Sequence, residues 1–233
     1  MGQSWIEFWD QQQVMDDRSW EKNAELLLKG SAGFFPFQPQ DRVLDIGAGP
    51  GLLGAALQGR VAAYTGLDTS PRYVAQARER LGPVPGFAFH ELGEDYLDLS
   101  FLAPQQYDKI VCASVVQYYR DVGEVERLVE AVQRLAAPGA QLLIVDIPTG
   151  HGGWGDLLGL LKSAWEQRYL TRVLLFILRS MGSDYAQLRK SVGLLTLRED
   201  SFDGVVARLG IRGEWRDDVL TLNKNRRHYL IHY

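Results

Sequence analysis

Short apolar runs alternate with amphipathic stretches through much of the chain. Val43–Ile46, Val61–Asp68, Phe87–His90, Ile110–Ala113 and Leu142–Ile147 are short, rich in Val, Ile, Leu and Phe, and bounded by turn-forming residues, which predicts strands. Between them, apolar residues recur at helical spacing: Leu52, Leu53, Ala56 and Leu57; Tyr73, Val74, Ala77 and Leu81; Val125, Leu128, Val129, Val132 and Leu135. Ser70-Pro71 offers a capping hydroxyl followed by proline at the first helical position, Gly82 a stop, and Pro138-Gly139 another. Leu142–Ile147 is nearly continuous in apolar character, as a parallel strand covered on both faces should be. Strand and helix in alternation predict stacked βαβ units: an α/β fold, mostly parallel, with helices on both faces of the sheet.

Two stretches depart from the alternation. Residues 1–40 precede it and read as a helical cap, with Ser19 as N-cap, Trp20, Ala24, Leu27 and Leu28 on one face, and Gly30 as the stop. Residues 150–198 show no clear strand and carry Trp154, Leu157, Leu158, Leu161, Trp165, Tyr169, Leu174, Phe176 and Ile177 at spacings that fit one or two helices. They are expected to form an insertion: a lid with an apolar pocket, a cap or dimer face, or a membrane-surface helix. The alternation resumes with a helix over Phe202, Val205, Val206 and Leu209, closed by Gly210. Strands over Ile211–Leu220 and Arg227–Tyr233 follow, joined by a polar turn, so the last strand is antiparallel. The chain thus reads as one domain, with a core over 41–149 and a final helix and hairpin over 199–233.

Composition narrows the classes. With 233 residues, 46% of them hydrophobic, the chain can bury one large core and is not disordered. A single cysteine excludes a disulfide framework and a multi-cysteine metal site, and no metal is expected. The net charge of −4 gives no reason to expect a nucleic-acid partner. The apolar run Val173–Leu178, fenced by Arg172 and Arg179, is too short to cross a bilayer, and residues 1–7 lack a signal-peptide pattern, so the expected location is the cytoplasm.

The most informative stretch is Val43-Leu44-Asp45-Ile46-Gly47-Ala48-Gly49-Pro50-Gly51. Glycines there permit a tight strand-to-helix turn whose backbone approaches a ligand. A dinucleotide fingerprint, Gly-x-Gly-x-x-Gly, would need glycine where Leu52 stands. Asp45 lies two residues before the first glycine, where it would repel a pyrophosphate but favour an amino group or a sulfonium. Asp68 ends the second strand 21 residues after Gly47, suited to accept from ribose hydroxyls.

This combination resembles motif I of the class I, Rossmann-like S-adenosylmethionine-dependent methyltransferases. The resemblance implies a seven-stranded sheet with an antiparallel last strand and S-adenosylmethionine as cofactor. It implies cofactor contacts from Asp45, Gly47, Ala48, Gly49, Gly51, Asp68 and Thr69, with Glu94 or Asp95 at the adenine and Ala113, Ser114 and Tyr118 beyond the fourth strand. The departure is Gly93-Glu94-Asp95, where the family carries Gly-Asp. Many members have histidine where Tyr118 stands, and Ser114-Val115-Val116-Gln117-Tyr118 is similar to the N-methylating domains of nonribosomal peptide assembly. Tyr118 could also turn its π-face to the sulfonium.

Removing a proton from a hydroxyl acceptor calls for a base, usually histidine. Of the four histidines, His151, in the flexible Thr149–Gly153 loop after the fifth strand, is the first candidate and His228, opening the last strand, the second. Lys224, Arg226 and Arg227 form either a solvated basic turn or a contact for an acidic substrate. The expected activity is methylation of a small molecule with apolar or aromatic parts, such as a secondary metabolite or a sugar-containing acceptor, most simply at oxygen. An amine or aminoacyl acceptor, or a non-catalytic binding module, are the alternatives. A homo-oligomer is compatible with all of these.

Overall fold

The computed structural model describes Trp5, residues 17–149 and residues 193–233. The helical elements are α1 (Asp17–Ser31), α2 (Leu52–Leu57), α3 (Pro71–Leu81), α4 (Val122–Gln133) and α5 (Glu199–Arg208). The strands are β1 (Arg42–Ile46), β2 (Ala63–Asp68), β3 (Phe87–Glu91), β4 (Tyr107–Ala113), β5 (Ala136–Ile147), β6 (Arg212–Arg216) and β7 (Arg227–His232). They form one seven-stranded sheet in the order β3-β2-β1-β4-β5-β7-β6. Strands β1 to β5 run parallel, and β7 lies antiparallel to both β5 and β6.

The period-two alternation of each buried strand divides the core between the two faces of this sheet. Leu44, Ile46, Ile110, Leu142 and Ile144 face α4 and α5, whose Leu128, Val129, Val132, Phe202 and Val205 complete one cluster. Val43, Val111, Leu143 and Val145 face the other side, where Leu27 of α1, Leu53 and Leu57 of α2 and Val74 and Ala77 of α3 close a second. Ser70 caps α3 as its sequence suggests, its hydroxyl accepting from the Tyr73 N–H at 3.3 Å.

Several boundaries differ from expectation. Ser19 lies within helix α1, already helical at Asp17, and so is not its N-cap. Strand β6 ends at Arg216, short of Leu220. Strand β5 begins at Ala136, so Pro138-Gly139 sits within it: the register shifts there, Gly139 takes φ 81°, and its N–H donates to the Tyr233 carbonyl. The turn chemistry is real but produces an irregularity rather than a strand start. Among the described residues no helix is long and apolar enough to cross a membrane.

Candidate active site

The parallel strands all deliver their carboxyl ends to one edge of the sheet, and the order reverses between β1 and β4, where an open α/β sheet leaves its ligand crevice. The residues singled out above lie along this edge in two groups.

The first group sits over β1, β2 and β3. Gly47, Gly49 and Gly51 have φ of 80°, 54° and 81°, a region that strains other residues. A Cβ on Gly47 would fall 2.2 Å from Val115 Cγ2, beneath the chain leaving β4, and one on Gly51 would fall 3.1 Å from Ala77 Cβ of α3. Gly49 faces the Trp20 ring of α1, at 3.5 Å from an added Cβ. The loop spends its own donors: the Gly47 and Ala48 N–H groups both donate to the Leu67 carbonyl, Gly51 N–H to the Ala48 carbonyl, and Gly49 N–H to Asp68 Oδ2 at 2.8 Å. Pro50 has none. From Gly47 to Gly51 no N–H remains for a pyrophosphate, which is the chemistry a dinucleotide site must supply.

Asp68 closes the loop, its second oxygen accepting from the Ser70 N–H at 2.9 Å. Burial raises its pKa, and the N–H groups of Ser70, Gly49 and Thr69 act against that rise. An ionised carboxylate has about four acceptor positions, so with these bonds made it still has lone pairs for a ribose diol. Asp45 pairs in register with Gly66, two residues before Asp68, which puts both acids at the same end of the sheet. Asp45 is 3% exposed and accepts from the Tyr64 hydroxyl. Burial pushes its carboxyl up to about 7, against the Tyr64 hydrogen bond and with help from the charge of Asp68. Beyond β3, Asp95 is engaged by the Arg127 guanidinium, both oxygens at 3.0 Å, whereas Glu94 stands exposed on the same turn. A cleft of about 510 Å³ opens there, lined by Arg78, His90, Glu91, Gly93, Asp95 and Phe101 among others.

The second group sits over β4, β5 and β7. Ser114 and Asp146 follow or end adjacent parallel strands, and both hold positive φ, 60° and 69°. Such conformations cost of order 1 kcal/mol or more and persist where the surroundings enforce them. Here the Ser114 hydroxyl donates to Asp146 Oδ2 at 2.7 Å, and the Ser114 N–H to the Val145 carbonyl at 3.0 Å. The Asp146 N–H donates to His228 Nδ1 at 3.1 Å. Asp146 escaped sequence reasoning, although it had a signal: it is the lone acid in the apolar run from Leu142 to Ile147.

His228 requires correction as a base. Its Nδ1 accepts from Asp146, and its Nε2 lies 2.9 Å from the Asp218 carbonyl, which can only accept, so Nε2 carries the proton. Burial lowers its pKa to about 4, against the Asp218 carbonyl and the charges of Asp218 and Asp217. Neutral, with both nitrogens committed, His228 has no lone pair for a substrate proton; it ties the start of β7 to the end of β5. His151 lies outside the described residues, as does the insertion from 150 to 192. Tyr118 is half-buried in a short turn after β4, its ring 4.9 Å from that of Trp5. Its neighbour Tyr119 is buried in the core against Tyr96.

Comparison with known proteins agrees with this geometry. Residues 44–142 match the family profile described as a methyltransferase domain. The chain is 34% identical over 112 residues to the chondramide synthase of Chondromyces crocatus, a match covering 47% of this chain and 3% of the synthase. It is 31% identical over 108 residues to the ubiquinone biosynthesis O-methyltransferase of Pseudomonas savastanoi pv. phaseolicola, covering 46% of this chain and 44% of that one. The N-methyltransferase NodS of Bradyrhizobium japonicum WM9, solved with S-adenosylhomocysteine, superposes with a TM-score of 0.56 at 16% identity, covering 94% of this chain and 92% of NodS. The matched segment thus spans less than half the length of these two curated relatives. Residues 44–142 carry the pattern of a methyltransferase domain, and the sheet order β3-β2-β1-β4-β5-β7-β6 is that of the Rossmann-like methyltransferase fold that NodS shares.

Proposed function

We propose that this protein transfers the methyl group of S-adenosylmethionine to a small molecule. The carrying observation is the junction of loop and acid: Asp68 accepts from Gly49 and Ser70 at the crevice, and the loop keeps no N–H for phosphate. That donor set fits a nucleoside without a pyrophosphate and disfavours a nicotinamide cofactor. Asp68 would hold the ribose, Glu94 on its exposed turn would reach the adenine, and Gly47, Ala48 and Gly49, with Ala113 and Ser114, would line the methionine end. When bound, the cofactor supplies an electrophilic methyl carbon on a sulfonium; the protein orients it and the acceptor and keeps water out.

The acceptor half faces that carbon from β4, β5 and β7. O-methylation is supported by the likeness to the ubiquinone enzyme, and His151 stays the candidate base from sequence. Asp146 is the ionisable group the fold itself brings to this end, able to accept a hydroxyl proton or to hold an ammonium. N-methylation gains support from a specific observation: His228 is committed, and a neutral amine needs no base. The likenesses to the chondramide synthase and to NodS point the same way. A secondary metabolite fits either chemistry.

The test is calorimetric titration with S-adenosylhomocysteine, followed by methyl-transfer assays against phenolic, amine and RNA acceptors. Binding at micromolar concentration with turnover on a small acceptor is expected. Absence of binding overturns the reading. Binding without turnover on any acceptor reassigns the chain as a non-catalytic module, and turnover on RNA alone removes the small-molecule acceptor.

A further inference from the structure

The turn ahead of β7 places three cationic or polar neighbours in very different surroundings. Arg227 pairs outward with Asp217 and Glu199. His228 bridges Asp146 and Asp218. Arg226 does neither: its side chain is 10% exposed, and its Nε and Nη1 are buried with no hydrogen-bond partner among the described residues. Asp146 Oδ1 stands 3.5 Å from Nε, an ion pair without hydrogen-bond geometry. A guanidinium cannot shed its charge, and leaving buried donors unmet costs of order 1–3 kcal/mol each.

Asp146 is held from swinging closer to Nε. Its other oxygen takes the Ser114 hydroxyl, its N–H is held by His228, and its backbone is fixed at φ 69°. Arg226 is itself held by its backbone N–H, which donates to the Asn223 carbonyl at 3.2 Å. Its neighbour Arg227 pairs with Ile147 at the carboxyl end of β5, which places Arg226 on the same edge of the sheet as Ser114 and Asp146. Strands β1, β4 and β5 separate β7, which it precedes, from β2 and Asp68.

We propose that Arg226 is the anchor for an oxyanion on the methyl acceptor, a carboxylate or a phosphate group. The inference rests on the proposal that β4, β5 and β7 serve the acceptor. The Nη1–Nη2 end of the guanidinium is a planar fork that matches two oxygens of either group, with Nη1 already desolvated and unpartnered. Asp146, locked beside Nε, fixes the plane of the fork. An acceptor of this kind enters with its anionic group at the β5–β7 end and its nucleophile toward β4.

The experiment is calorimetric titration of the whole protein, saturated with S-adenosylhomocysteine, with inorganic phosphate and separately with benzoate. Saturation keeps the cofactor's own carboxylate in place. One probe is expected to bind more tightly than the other, which tells a phosphate from a carboxylate. Arg226→Gln is expected to weaken that binding about ten- to hundredfold, and Arg226→Lys, which keeps the charge but not the fork, by an intermediate factor. Circular dichroism checks that each variant folds, and Arg226→Lys carries the test if Arg226→Gln does not. Equal binding by wild type and folded Arg226 variants overturns the proposal, as does wild-type binding that vanishes once S-adenosylhomocysteine is present. Failure of wild type to bind S-adenosylhomocysteine strikes the methyl-transfer reading instead.

Discussion

The two halves of the crevice are built on opposite plans. Over β1 to β3 the backbone does the work: glycines with positive φ fold into a loop whose N–H groups are satisfied within itself or by Asp68. Over β4, β5 and β7 the side chains do it: Ser114, Asp146, Arg226 and His228 meet from three separate stretches, two of them in strained backbone. A backbone-built cradle suits a ligand that never changes. A side-chain cluster can be re-cut for each acceptor while the fold stays as it is.

The largest expected effect comes from Gly47→Ala, which combines positive φ with a methyl 2.2 Å from Val115. It should cost about 3–4 kcal/mol, whereas Gly49→Ala, in ordinary contact with Trp20, should cost only about 1 kcal/mol. Urea unfolding of both variants measures the gap; equal losses would show that the loop is not packed as described.

A pH series divides the halves next. Native His228 stays neutral down to about 4 while the unfolded chain charges it near 6.5, so its contribution to stability is lost as pH falls through that window. Native Asp45 holds its proton to about 7 against an unfolded value near 3.8, so stability is lost as pH rises between them. They amount to roughly 3 kcal/mol for His228 and roughly 4 kcal/mol for Asp45, with opposite sign, over nearly the same range. Asp45→Asn should therefore make stability rise with pH more steeply than in wild type. His228→Asn, whose amide oxygen can still accept from Asp146, should make it fall. Slopes unchanged from wild type would show that neither group titrates as its burial implies.

Asp68→Ala should weaken S-adenosylhomocysteine binding about tenfold or more, since it removes both the proposed ribose contact and the acceptor that fixes Gly49. Calorimetry on this variant and on Arg226→Gln separates the halves: the first should lose cofactor, the second should not. The smallest effect belongs to Ser114. Ser114→Gly relieves the φ of 60° that Ser114→Ala retains, so the glycine variant should be more stable by about 1 kcal/mol, read from thermal unfolding.

The first half was legible in the sequence because its chemistry is local. Gly47, Gly49, Gly51 and the Ser70 cap each act within a few residues of themselves, and Asp68 lies one βα unit downstream, so the pattern of residue types carries the geometry. The second half was not, because its bonds span long separations: Ser114 to Asp146 is 32 residues and Asp146 to His228 is 82. No periodicity reports that His228 will find a backbone N–H and a carbonyl waiting for its two nitrogens. Pro138-Gly139 reads in the sequence as a helix stop, but α4 already ends at Gln133 and the pair falls within β5, whose pairing with β4 begins ahead of it at Ala136.

The place of β7 decides which half of the crevice depends on distant parts of the chain. It enters between β5 and β6, so β6, though made earlier, joins the sheet only through it. The glycine loop and Asp68 are drawn from one continuous stretch of polypeptide and bond to one another within it. The β4–β5–β7 end, by contrast, is complete only because β7 comes back to lie beside β5, where His228 meets the Asp146 N–H.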